Sequence, residues 1–151
     1  MKYEMIAAAV ALSVGSGIAA QAYAQEKPET YIRLRKATQT VTLSQVRQMA
    51  PMVKGTQPFD AAVATRAATL ISTLAPVFAT AFPAGTDQGD TRARPEIWSQ
   101  GDKFKAAMDR YFAESNKLVD AAKSGNVDSF KSQFGALSKA CDSCHDDYRK
   151  K

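Results

Sequence analysis

VDSFKSQFGALSKACDSCHDDY, residues 127–148, decides the fold. Val127, Phe130, Phe134, Leu137, Cys141, Cys144 and Tyr148 recur at three- and four-residue intervals. That is the spacing of one face of an α-helix. The same stretch holds Cys141-Asp142-Ser143-Cys144-His145, a CxxCH motif and the attachment signature of a c-type haem. Two thiols three residues apart lie on one side of a helical turn, so both reach the vinyl groups of one porphyrin. The histidine that follows then lies under the iron as an axial ligand. The cysteines fall on the apolar stripe itself, which predicts a haem c held against the interior of a helical fold.

Other uses of CxxC fit less well. A structural zinc site needs four Cys or His ligands, and the chain has two cysteines and one histidine. A dithiol redox site normally follows a strand and opens a helix, whereas this motif lies late in a helical pattern. Only Asp146 to Lys151 follow His145, and none is Met or His. A second strong axial ligand must come from upstream, or one face of the iron is open.

Upstream, Ile6 to Ala20 is an apolar run broken by Ser13, Gly15, Ser16 and Gly17, and Ala22-Tyr23-Ala24 is an A-x-A cleavage pattern. Residues 1–24 read as a secretory signal peptide. The run is too short and interrupted to be a good bilayer span. A mature domain of residues 25–151 in a bacterial periplasm is expected, with no membrane association after cleavage. The formal net charge of +5 is spread along the chain without an Arg-rich block bearing interleaved aromatics, so no nucleic-acid partner is expected.

Three further segments read as helices. The first runs from Pro28 to Val53, stopped by Lys54-Gly55, with Pro51 expected to disturb its last turn. The second runs from Pro58 or Asp60 to Phe82, with a kink or break at Pro76. A loop without periodicity spans Pro83 to Pro95. The third helix starts near Pro95-Glu96 and carries Trp98, Met108, Ser115 and Ala122 on its stripe. No segment alternates with a strand period. The expectation is an all-α, antiparallel up-down-up-down four-helix bundle with covalently bound haem.

Lys27-Pro28-Glu29, Arg35, Pro51-Met52-Val53-Lys54-Gly55, Pro58-Phe59-Asp60-Ala61-Ala62, Gly85-Thr86, Gly89-Asp90, Arg94-Pro95-Glu96-Ile97-Trp98 and the terminal CxxCH together resemble a class II c-type cytochrome, specifically cytochrome c′. The resemblance covers essentially the whole mature chain. It implies a five-coordinate, high-spin haem with His145 as the only strong protein ligand. It implies an opposite face shielded by the first helix and open to small gases, chiefly nitric oxide and carbon monoxide, with a role in nitric oxide sequestration. Gln39 matches the family's distal position, Arg35 an arginine near the haem edge, and Arg149 an arginine close to the proximal histidine. The resemblance also implies a homodimer through the first two helices.

Gln39 departs from the bulky apolar residue common in the family, and from the methionine that closes the iron in its low-spin branch. The first-helix stripe Ile32, Arg35, Gln39, Leu43, Val46, Val53 is apolar except at Arg35 and Gln39. Gln39 therefore either faces solvent or places an amide over the iron, where it could hydrogen-bond a ligand or water. Met49 and Met52 lie about 15 to 20 Å along the helix from Gln39, and they and Met108 read as packing residues. Leu34, Val41, Met49 and Met52 form a second stripe, for a subunit interface or for the chain's own core. Two functions stay open: gas binding, or electron transfer to redox partner proteins by a six-coordinate low-spin haem. No enzymatic activity is expected, since no distal His and no acid–base set accompany Arg35 and Gln39.

Overall fold

The computed structural model describes residues 26–151. The signal peptide expected over residues 1–24 lies outside the described residues. Four long helices form an antiparallel bundle, with a one-turn helix before the third. They are α1 (Pro28–Lys54), α2 (Ala61–Ala79), α3 (Glu96–Ser99), α4 (Gly101–Lys123) and α5 (Val127–Tyr148).

Each boundary has a local cause. Pro28 occupies the first turn of α1, where its missing N–H costs nothing, and Glu29 faces the positive end of the dipole. Gly55 ends α1 at φ 74°, a left-handed conformation that glycine adopts without strain, and its N–H returns to the Met52 carbonyl at 3.3 Å. Asp60 caps α2 by accepting from the N–H groups of Ala62 and Val63 at 2.9 and 3.0 Å. Asn126 caps α5 through Ser129 N–H at 2.9 Å.

Three expectations are corrected. α1 runs through Pro51 to Lys54, because the carbonyl that Pro51 leaves without an N–H partner belongs to Arg47, an exposed residue where water can take it. α2 also continues through Pro76, which sits on the exposed face where water can satisfy the freed carbonyl, and it ends at Ala79 rather than Phe82. The third helix is broken. Gln100 leaves the helical region at φ −123°, ψ 47°, separating α3 from α4. The break lets Ile97 bury while the Trp98 indole N–H donates to the carbonyls of Phe82 and Pro83 at 3.2 and 3.0 Å.

α2 packs against both α1 and α4, and α4 against α5. Its buried positions are Ala64, Ala67, Ala68, Ile71 and Ala75, small residues that admit close approach. Phe130, Leu118, Met49 and Leu137 fill the core beside them. Met49 and Met52 therefore belong to the chain's own core, while Val41 on their stripe is exposed. By length and a mean hydropathy of 1.4, α2 could cross a membrane, but here it is one wall of the bundle. α1 and α5 meet only sparingly, and a cavity opens between them.

Candidate haem site

That cavity holds about 500 Å³, within the range of about 300–1,000 Å³ usual for cofactor pockets. Cys141, Cys144 and His145 line it from α5, and Arg35 and Gln39 from α1. Arg149, just past the end of α5, lines it too. All six residues singled out in the sequence thus border one cavity.

The α5 side follows from the helical register. Leu137, Cys141, Cys144, His145 and Tyr148 reach the cavity from successive turns. Both cysteines are half-buried. Burial pushes the Cys141 thiol up to about 11, aided by the charges of Asp142 and Cys144. Burial raises the Cys144 thiol too, with Asp147 adding to it. His145 is shifted down, first by burial and then by the Arg149 cation. A lowered imidazole is neutral and keeps a lone pair for a metal.

On the α1 side, residues 32, 35, 39, 43 and 46 face the cavity. Gln39 is half-buried and borders the cavity. Thr42, buried on the next turn, lies against the Tyr111 phenol, which burial raises to about 12 while Thr42 pulls it down. Phe78, Phe82, Phe104 and Tyr148 complete an aromatic wall. Phe82 meets Phe78 at 5.1 Å and Phe104 at 4.9 Å between ring centroids, and Phe104 meets Tyr148 at 5.2 Å. Met108 borders the cavity from α4 and is also part of the core; Met49 and Met52 do not reach it.

Arg35 is buried, 6% exposed. Its Nε donates to the Ala81 carbonyl at 2.8 Å, its Nη2 to the Thr86 carbonyl at 2.6 Å and its Nη1 to Thr91 Oγ1 at 3.4 Å. The guanidinium carbon lies 4.8 Å from the Phe82 ring centroid and 5.5 Å from that of Trp98. Burial lowers its pKa and the Asp87 charge opposes that.

Two thiols and a neutral imidazole on one helix face, opening on an apolar aromatic-walled cavity of this size, fit the donor set of a haem c. The cytochrome c′ family model matches residues 30–149.

The chain belongs to the cytochrome c′ family.

Cytochrome c′ of Rubrivivax gelatinosus is 39% identical over 127 residues, covering 83% of this chain and 98% of that protein. Cytochrome c′ of Alcaligenes xylosoxydans xylosoxydans is 38% identical, covering 83% and 97%. The crystal structure of the Rubrivivax protein matches with a TM-score of 0.79 at 38% identity, again over 83% and 98% of the two chains. Variants of the Alcaligenes xylosoxidans cytochrome c′, one as a nitric oxide complex and one with carbon monoxide bound, match at a TM-score of 0.78 and 38% identity, over 83% of this chain and 97% and 98% of theirs.

Sequence reasoning did not single out Thr42, Tyr111, Phe82, Phe104, Thr91 or Arg92, which also line the cavity. Thr91 and Arg92 lie in the loop before α3, where no period marks a face. Tyr111 and Phe104 were legible only as stripe residues of α4.

Proposed function

We propose that this cytochrome c′ family member is a periplasmic haem protein that binds small uncharged gases, nitric oxide and carbon monoxide, and serves to sequester nitric oxide. Cys141 and Cys144 would hold one haem c through thioethers, and His145 would be the only strong protein ligand to its iron. Bound there, the haem would supply an iron able to take a diatomic ligand. The observation that carries the reading is the placement of Gln39. It borders the same cavity as His145 but from α1, and an amide is a poor ligand for haem iron.

The chain's own residues then divide the work. The aromatic wall and the aliphatic side chains of Ile32, Leu43 and Val46 keep the cavity dry and admit uncharged molecules. The Gln39 amide is a hydrogen-bond donor to a bound ligand or water. Arg35, fixed by three hydrogen bonds, places a positive charge at the cavity wall. Arg149 places a second cation near His145 and depresses its basicity. No acid–base pair suited to turnover accompanies them, and the protein is read as a binding protein rather than an enzyme.

The apolar run Ile6 to Ala20 followed by Ala22-Tyr23-Ala24, the sequence pattern of a signal peptide over residues 1–24, supports export. The relatives' nitric oxide and carbon monoxide complexes support the gas chemistry. Exposed apolar residues Val41 on α1 and Leu70 and Val77 on α2 support a homodimer through these two helices.

Mass spectrometry and electron paramagnetic resonance of the exported protein test the reading. One added haem, two unreactive cysteines and a high-spin ferric signal are expected. Two titratable thiols would end the attachment assignment. A low-spin ferric signal would point instead to Met108, the one methionine at the cavity among the described residues, and to an electron carrier serving redox partner proteins.

A further inference from the structure

His145 stands in the last turn of its helix. The last four carbonyls of a helix lack intrahelical partners, and such turns fray. An axial ligand there needs something outside the helix to hold it. The structure provides it in the loop before α3. Ala93 and Arg149 form an antiparallel bridge. Arg94 N–H donates to the Tyr148 carbonyl at 3.0 Å, and Lys150 N–H to the Arg92 carbonyl at 2.8 Å. Arg92 returns two side-chain hydrogen bonds to the Lys150 carbonyl, at 3.0 and 2.7 Å.

Arg94 is the central piece. Its Nη1 donates to the carbonyl of Asp146, the residue after His145, at 3.2 Å. Its Nη2 and Nε hold the Glu96 carboxylate at 2.9 and 3.3 Å, which anchors the guanidinium to α3. Arg149 N–H, inside the bridge, donates to the His145 carbonyl at 3.1 Å. The loop is fixed in turn from α1. Thr91 Oγ1 accepts from Arg35 at 3.4 Å and from Ala93 N–H at 3.1 Å. A continuous chain of hydrogen bonds therefore runs from the α1 wall of the cavity to the backbone that carries His145.

We propose that Arg94 is a positioning residue for His145: by clamping the end of α5 to the loop, it fixes the imidazole that would hold the iron. The inference rests on His145 as the axial ligand. Arg94 touches the backbone of the turn, not the imidazole, so its influence is orientational. A planar fork spanning Glu96 and the Asp146 carbonyl is a task for guanidinium, which an ammonium cannot perform at both ends.

The test uses the exported haem-loaded protein and two readouts, the ferrous iron–imidazole stretching band and amide exchange at Arg149 and Lys150. In Arg94→Ala the haem stays attached by mass, exchange at both amides quickens, and the band broadens and moves to lower frequency. Arg94→Lys keeps the charge and shows the same shift. Lys150→Pro removes the N–H that donates to Arg92 and leaves Arg94 in place; Arg149 is already extended at φ −121°, ψ 128°, as a residue before proline must be. It shifts the band in the same direction and serves if Arg94→Ala does not fold. A native band in Arg94→Ala, with exchange quickened at both amides, or in Lys150→Pro, with exchange quickened at the Arg149 amide alone, overturns the proposal, and so does full rescue by Lys. A native protein with no iron–imidazole band at all overturns the ligand assignment itself, a distinguishable result.

Discussion

The Arg35 guanidinium donates to the Ala81 carbonyl at 2.8 Å, joining the second turn of α1 to the chain just past α2 across 46 residues. It also holds Thr86 and Thr91 and lies over Phe82, so one buried cation organises the loop that closes the cavity. Truncation would leave buried carbonyls unpaired. Hydrogen bonds to charged groups contribute about 1.5–3 kcal/mol each, and unpaired buried groups cost about as much. Arg35→Ala should lower stability by about 2–4 kcal/mol, read as a clear drop in midpoint in urea unfolding. Arg35→Lys should recover little, because an ammonium cannot reach the two carbonyls and Thr91 at once. A variant as stable as the native protein would show that the loop is held by other contacts.

Gln39 lies one turn after Arg35 on the same wall. Gln39→Ala removes bulk and a donor, and carbon monoxide should then bind faster, by about tenfold if one lost hydrogen-bonded water or steric contact near 1.4 kcal/mol sets the barrier. Stopped-flow or flash-photolysis kinetics measure this. Gln39→Met places a thioether where the low-spin branch of the family has one, and should convert the spectrum towards low spin. Unchanged binding rates in both variants would place Gln39 away from the ligand.

α5 was legible because local and global demands agree there. Phe130, Leu137 and Tyr148 are buried, and the CxxCH cysteines continue the same face. The α1 wall was legible for the same reason, down to Gln39 on the cavity side. The break at Gln100 was not, since the apolar period continues from Glu96 to Phe104 and Gly101, the one local sign of weakness, is tolerated inside many helices. It arises from Trp98 reaching the carbonyls of Phe82 and Pro83, contacts that exist only once α2 is in place. Pro76 does not break α2, because proline on a solvent face near a helix end costs less than one in a buried helix interior. The clamp from Arg92 and Arg94 to the end of α5 is a pairing across more than 50 residues, and no spacing rule announces it.

Arg149 is the largest charge acting on His145, after burial. A cation near the iron disfavours the oxidised, more positive state. Arg149→Ala should therefore lower the reduction potential and strengthen the imidazole as a donor. Protein-film or mediated electrochemistry at fixed ionic strength measures the change. An unchanged potential would make Arg149 only the residue that ends α5.

Leu70 and Val77 project from α2 at 38% and 41% exposure, and Val41 from α1 at 38%. In the proposed dimer these side chains meet a second copy. Leu70→Glu with Val77→Glu should shift sedimentation from dimer to monomer at micromolar concentration and leave the haem spectrum unchanged. A native protein that sediments as a monomer would remove the interface.

The most direct test of the account is the optical spectrum of the ferrous protein with and without carbon monoxide. A cavity that offers His145 from α5 and only the Gln39 amide from α1 predicts a high-spin ferrous spectrum that carbon monoxide converts to a ligand-bound one. A low-spin ferrous spectrum that carbon monoxide leaves unchanged would contradict it.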